Sequence, residues 1–282
     1  HETTSGTGST AESACVCKAG YYHDGSSCTE CLAGSFKSSI GDGACESCEA
    51  GKYGATTGQT VCVNCDAGEV TTSTGLTVCT ACGAGHIAAS AGLSECSACG
   101  AGSYASGTGN TVCSLPIAGY YSSFDGGGFT LSGATTSTPC AAGRFTSNGG
   151  MSSCTFASPG YIVASQGQTT HVACGSGTFA SGTGNSACTT VQAGYIATAN
   201  GFGTNSGASA ESICLMGTYS AAGATVCSNA DSGYYVVGAN GLSADGEGSP
   251  VRGAVGQVQV NAGFVPVDIN NTIVNTKAVR QW

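Results

Sequence analysis

Residues 31–113 read CLAGSFKSSIGDGACES (31–47), CEAGKYGATTGQTVCVN (48–64), CDAGEVTTSTGLTVCTA (65–81), CGAGHIAASAGLSECSA (82–98) and CGAGSYASGTGNTVC (99–113). Set out this way, the five segments share one grammar. A cysteine opens each of them, at Cys31, Cys48, Cys65, Cys82 and Cys99, in steps of 17 residues. A second cysteine closes each, at Cys45, Cys62, Cys79, Cys96 and Cys113, 14 residues after its opener. A glycine follows every opener by three: Gly34, Gly51, Gly68, Gly85 and Gly102. A fixed short period means a stack of like units, each resting on its neighbours, not one globule around one core.

The composition of the whole chain agrees. Its 282 residues include 47 Gly, 19 Cys and a single Trp. Charged residues are 8%, against about 25% in an ordinary soluble domain. Bulky apolar residues are too sparse to build a large core, so cross-links must replace burial. Regularly spaced cysteines in this number point to an oxidising compartment, secreted or at the cell surface. The net charge of −9, with seven Lys plus Arg, argues against nucleic acid as a partner. No run of about 18 apolar residues is present, so no membrane span is expected. The chain begins at His1 without a signal peptide and reads as processed or partial.

The same grammar extends to both sides. Cys17-Lys-Ala-Gly20-Tyr21 opens an earlier unit that Cys28 closes over a shorter loop of 11 residues. After Cys113 the Cys-x-x-Cys motifs stop, but Cys140 and Cys154 remain 14 apart, as do Cys174 and Cys188, with Cys214 and Cys227 13 apart. These isolated pairs have no nearer partner, so the simplest rule joins opener to closer within each unit. The rule gives Cys17–Cys28, Cys31–Cys45, Cys48–Cys62, Cys65–Cys79, Cys82–Cys96, Cys99–Cys113, Cys140–Cys154, Cys174–Cys188 and Cys214–Cys227. Cys15 is left over. It is a candidate for an intermolecular bridge, set against a partner upstream of His1 or a shifted pairing with Cys17 and Cys28.

Counting three residues past each closer locates units without cysteine. They open at Pro116, Ala157, Val191 and Ala230, with glycines at Gly119, Gly160, Gly194 and Gly233. Ser137, His171 and Glu211 stand where three closers would be. From Cys99 onward, cross-linked and cysteine-free units alternate. Frequent glycine opposes helix. Each unit therefore reads as two short strands joined by a Gly/Ser/Thr turn, with the repeated glycine at φ > 0 or at a close backbone approach. The fold class expected is an all-β, disulfide-rich, elongated repeat ladder of period about 17, with little or no helix. At about 10 Å per unit, about 13 units would make a rod of about 130 Å.

Four regions follow: a flexible N-terminal arm (1–14), regular disulfide-linked repeats (15–113), alternating repeats (114–250) and an apolar β tail (251–282). The tail either caps the last unit or adds a strand to a neighbouring subunit. Thr135, Thr136, Ser137 and Thr138, followed by Pro139, resemble an O-glycan acceptor region, and Asn270-Asn271-Thr272 is an N-glycan sequon. The competing reading of the Ser/Thr cluster is a solvated loop.

No constellation of catalytic residues emerges. The lone 14-spaced pairs cannot supply four zinc ligands. Bridged cysteines are not nucleophiles, and the Gly-Thr-Gly-Asn pieces at 107–110 and 182–185 read as turns, not phosphate loops. Asp125, Asp231, Asp245 and Glu247, in glycine-rich loops, are the only candidates for a weak calcium site. The expectation is a non-enzyme without cofactor.

The unit Cys-x-Ala-Gly-x-Tyr/Phe, best seen at Cys31-Leu-Ala-Gly34-Ser-Phe36 and Cys48-Glu-Ala-Gly51-Lys-Tyr53, resembles the cysteine-rich repeats of tumour-necrosis-factor-receptor and ephrin-receptor-like modules. It looks most like the tandem forms in surface proteins of ciliates and algae. The resemblance covers roughly residues 15–235. It implies an extracellular β-ladder used in receptor ectodomains, surface coats or extracellular fibres. With the low charge, the apolar tail and Cys15, the expectation is a glycosylated structural subunit that self-associates head-to-tail into a filament or coat. The alternative is a receptor or adhesin ectodomain that binds a protein or glycan.

Overall fold

A computed structural model describes residues 2–4, 15–124, 132–231, 234–238 and 252–259. Among them there is no helix, and the strands form small antiparallel sheets of two strands, in one case three. The chain divides into two compact units. One comprises His1–Ile117, Tyr121–Thr138 and Gly149–Ser153; the other comprises Ala118–Tyr120, Pro139–Asn148 and Cys154–Trp282.

Within each unit the repeats share one register. Lys52 faces Asn64 and Tyr53 faces Val63; Glu69 faces Ala81 and Val70 faces Thr80; His86 faces Ala98 and Ile87 faces Ser97. The residues four and five after each opener thus pair with those sixteen and fifteen after it. In the Cys99 repeat the hairpin shrinks to a single bridge between Tyr104 and Ser114.

Two-residue strands cannot hold a hairpin alone, so the bonds between repeats matter more. The first glycine of a repeat donates its N–H to the next repeat: Gly34 to Gly54 O, Gly51 to Thr71 O, Gly68 to Ala88 O, Gly143 to Val163 O. The turn glycine donates back to the previous opener: Gly58 to Cys31 O, Gly75 to Cys48 O, Gly184 to Ala157 O, Gly207 to Cys174 O. Both bonds persist where the opener has lost its cysteine.

A third contact reaches two repeats along. Gly51 has φ +85°, and a Cβ there would fall well under 3.0 Å from the carbonyl oxygen of Gly92, the turn glycine two repeats later. The same holds for Gly20 over Gly58, Gly34 over Gly75, Gly68 over Gly109, Gly85 over Gly133 and Gly102 over Gly150 in the first unit. In the second unit it holds for Gly119 over Gly167, Gly143 over Gly184, Gly160 over Gly207, Gly177 over Gly223 and Gly194 over Gly253. The repeated glycine therefore serves both purposes, left-handed backbone and close approach. Each repeat touches not only its neighbours but also the repeat beyond.

The interior is correspondingly thin. The openers are buried: Cys31, Cys48, Cys65 and Cys99 are 0% exposed. Residues six after an opener are buried too: Thr71, Ala88, Ala105, Thr146, Val163, Ala180 and Ala197. No buried side chain in this column is larger than valine except Lys37, the only charged residue buried among the described ones.

Two regions differ from the sequence reading. Of the arm expected over 1–14, Glu2–Thr4 is a strand paired with Cys15–Cys17, Thr3 facing Val16. The tail expected from residue 251 is not separate at its start. Gly256–Gln259 pairs with Tyr234–Val237, and Gly253 is the turn glycine under Gly194, so 252–259 complete the Ala230 repeat. The backbone groups of that repeat needed a closing strand, and Gly256-Gln257-Val258-Gln259 supplied it. The insertion at Asn200–Gly203 is a hairpin tip, Asn200 at φ +53°, which makes the sheet around Tyr195–Ala199 three-stranded.

Gly51→Ala should lower stability by about 3 kcal/mol or more, from left-handed strain plus a collision with rigid backbone. Gly83→Ala, with nothing within 4 Å of its Cβ position, should stay within about 0.5 kcal/mol of the parent. Denaturant unfolding of the two variants checks the difference.

Candidate functional site

The chemistry of this chain is concentrated along the edge where openers meet closers. The structure joins Cys17 to Cys28, Cys31 to Cys45, Cys48 to Cys62, Cys65 to Cys79 and Cys82 to Cys96. It also joins Cys99 to Cys113, Cys140 to Cys154, Cys174 to Cys188 and Cys214 to Cys227. Their Cα–Cα distances run from 5.5 to 5.8 Å, inside the range a disulfide needs without moving backbone. The openers are buried; most closers are half-buried.

The cysteine-free repeats fasten the same edge differently. In the Val191 repeat, Gln192 N–H donates to Glu211 Oε2 at 3.3 Å. In the Ala157 repeat, Ser158 N–H points to His171 Nδ1 at 3.5 Å. In the Ala230 repeat, Asp231 N–H donates to Gln257 Oε1 at 2.7 Å, and Gln257 Nε2 donates back to Asp231 Oδ2 at 2.5 Å. Gln257 follows the turn glycine Gly253 by four, as Cys62 follows Gly58. A polar side chain at the closer position thus takes the N–H just after the opener, and the opener becomes a buried Ala157 or Val191. His171 also stacks on Tyr161, ring centroids 4.3 Å apart, and lies 4.9 Å from Phe145. Each of these repeats carries a tyrosine four residues after its opener: Tyr120, Tyr161, Tyr195 and Tyr234. The sequence held both signals, the polar closer and the tyrosine, but the clasp appears only when the backbone is placed.

The first repeats form a cap. Gly41, the turn glycine of the Cys31 repeat, gives its carbonyl to the ammonium of Lys37, which also donates to Tyr21 O at 2.7 Å. Cys17 N–H donates to Asp42 Oδ1 at 3.2 Å. Asp24 accepts from Ser26 N–H and Ser27 N–H at 2.9 Å and from the Thr29 hydroxyl at 2.8 Å. The backbone N–H of Ser26, then that of Ser27, hold the Asp24 carboxyl far below the usual carboxylate range. Glu30 is lowered too, chiefly by the hydroxyl of Thr57 at 2.6 Å and then by that of Tyr21 at 2.8 Å. The same bond to Glu30 pushes the Tyr21 phenol up.

The remaining candidates are placed as follows. Thr136–Pro139 is a strand, not a loop, and Thr135, Thr136, Ser137 and Thr138 are half-buried. The Thr138 hydroxyl lies 2.6 Å from that of Ser123. Asn270, Asp125, Asp245 and Glu247 lie outside the described residues, and only the backbone of Cys15 is described. Asn110 and Asn185 turn their amides onto Ser106 O and Ser181 O, closing the Gly-Thr-Gly-Asn turns. Among the described residues no three His, Cys, Asp or Glu gather to hold a metal ion. No helix among them is long and apolar enough to cross a membrane.

One feature was not anticipated from sequence. The residue before the closer is an exposed valine in four repeats: Val61 (64%), Val78 (68%), Val112 (69%) and Val226 (68%). Leu32, Ile117 and Leu215, each one residue after an opener, are as exposed. The disulfide edge is thus bordered by apolar side chains in water. Val61, Val78 and Val112 keep the 17-residue step of the cysteines or twice that step.

No protein-family model matches this chain, and no curated protein matches it.

Removing one bridge, with Cys65 and Cys79 both changed to Ala, should cost about 3 kcal/mol on the chain-entropy account of a 15-residue loop. Glu211→Ala should cost roughly 0.5–1.5 kcal/mol, one hydrogen bond. Paired unfolding curves separate the two. Asp24 and Glu30 have folded pKa values below their unfolded ones, so their contribution is present above about pH 4 and is lost as the pH falls further. Thermal melts should therefore be level between pH 7 and about pH 5 and decline below about pH 4, with Asp24→Asn less sensitive to acid than the parent.

Proposed function

We propose that this chain is an extracellular structural protein, a repeat-built subunit that joins copies of itself head-to-tail into a filament or surface coat and carries covalent glycans. The observation that carries this reading is the apolar border of the disulfide edge. Soluble monomers seldom expose large side chains in register; such surfaces mark association. Val61, Val78 and Val112 recur on successive or alternate repeats of one compact unit. The low charge of the chain, 8%, leaves little to keep such surfaces apart. The nine disulfides fit an oxidising, extracellular setting. The repeats supply a scaffold whose contacts are backbone to backbone, which leaves the side chains of the edge free for a partner. Glycans on the Ser/Thr-rich surface would supply solvation that charge does not.

Electron microscopy and sedimentation of the purified, oxidised protein test this. The parent should form threads or sheets with an axial repeat, and the triple variant Val61→Glu, Val78→Glu, Val112→Glu should shift the population to single particles. Discrete monomers of the parent at every concentration would reject the reading in favour of an ectodomain that binds a protein or glycan.

A further inference from the structure

We propose that Phe202 is a knob that seats in a hollow beside Val172 on a second copy of this chain, a self-contact separate from the valine border. Among the described residues Phe202 is the most exposed of the large apolar side chains, at 79%. Its presentation is rigid. Tyr195–Ala199 turns back on Phe202–Gly203, with Ala199 facing Phe202. Asn200 and Gly201 between them both have positive φ, +53° and +83°. Two left-handed central residues make the tight hairpin turn that asparagine followed by glycine favours. The tip is fastened to the stack. Thr204 N–H donates to Ala197 O at 3.1 Å, and a Cβ on Gly203 would fall 2.8 Å from the carbonyl oxygen of Thr225. No other repeat among the described residues carries a third strand, so the stack itself does not require this projection.

The same compact unit holds a hollow that suits one aromatic ring. Its volume is about 280 Å³, below the roughly 300–1,000 Å³ of pockets that enclose a drug-sized ligand. Ile162, Val163, Ala164 and Val172 give it an apolar wall, and no charged residue lines it. Its polar side chains are turned onto the protein: Gln168 Nε2 donates to Ser165 Oγ at 3.0 Å, and the Thr170 hydroxyl donates to His171 O at 3.3 Å. An ionic occupant would lose its water and find no counter-charge, whereas an aromatic ring covers exposed carbon on both surfaces. Phe202 does not line the hollow of its own chain and stands in water there, so the ring that fills it comes from a second copy. Each copy carries one knob and one hollow at different places. That is the arrangement by which an apolar projection and an existing pocket join identical molecules.

Photo-crosslinking of the full, oxidised chain tests the contact, with Phe202→p-benzoylphenylalanine as the probe. Unlabelled and nitrogen-15-labelled copies are mixed, so mass spectrometry separates bonds between copies from bonds within one. Position 202 should join to the 162–172 peptide in mixed light–heavy pairs. Val172→Glu should lower that yield by roughly tenfold or more, since it sets an unpaired carboxylate against the ring. The fold tolerates this change, because Glu46 occupies the equivalent position of the Cys31 repeat. The triple variant Val61→Glu, Val78→Glu, Val112→Glu should leave the yield unchanged. Crosslinks that form only within a copy, that land elsewhere, that are absent, or that ignore Val172→Glu overturn the proposal. Loss of the crosslink in the triple variant also overturns it, because the contact would then be a by-product of the valine border.

Discussion

The contact on which the rest depends is a glycine Cα laid against a glycine carbonyl two repeats away. It allows no side chain on the first glycine, and it has the geometry of a Cα–H···O contact. Its individual strength is small. Its consequence is large, because it fixes how closely backbones approach, and that spacing lets the two conventional hydrogen bonds form, Gly51 N–H to Thr71 O and Gly75 N–H to Cys48 O. The same spacing limits the interior column to Ala, Thr, Ser and Val. A larger residue there would force the repeats apart. Lys37 gives its ammonium to the carbonyl of Gly41, the turn glycine of its own repeat, and to that of Tyr21.

Against that constraint, the fastener at the edge is exchangeable. A disulfide ties Cys65 to Cys79, and a hydrogen bond ties Gln192 to Glu211, yet Gly68 and Gly194 keep the same relation to Gly109 and Gly253. The covalent tie restrains the unfolded chain as well as the folded one; the polar clasp acts only once the repeat has formed. The chain uses the stronger device at every step from Cys17 to Cys113 and at every second step afterwards. The cysteine-free Val191 and Ala230 repeats are larger in their hairpins, with four-residue strands at Ala210–Ile213 and Tyr234–Val237, while the Ala157 repeat keeps two-residue strands. Longer ladders in those two, and the Tyr161–His171 stack in the Ala157 repeat, stand where the sulfur is missing.

This also explains what the sequence made legible. The period, the strand–turn–strand unit and the glycine's double duty were readable because backbone geometry dictates residue type at Gly51 or Gly68 regardless of surroundings. The cysteine-free repeats were countable for the same reason. The contact two repeats along was not, since Gly58 or Gly92 looks like any turn glycine until the stack is built. The clasp at Gln257 was hidden by the nineteen residues of changed composition between Gly233 and Gly253, which made the closing strand look like a tail. The Lys37 cap depends on a side chain reaching four residues along and sixteen back, which no periodicity encodes.

The exposed valines follow from the same economy. A repeat whose interior admits nothing larger than valine has no inward place for Leu32, Ile117 or Leu215, or for a side chain beside each closer. Such residues could be replaced by Ser or Thr without touching a single contact between repeats, as Ser153, Thr170 and Glu95 demonstrate at equivalent positions. Folding does not ask for Val61, Val78, Val112 and Val226. The stack gains nothing from them, so they are the side chains on which the association of copies proposed above would rest.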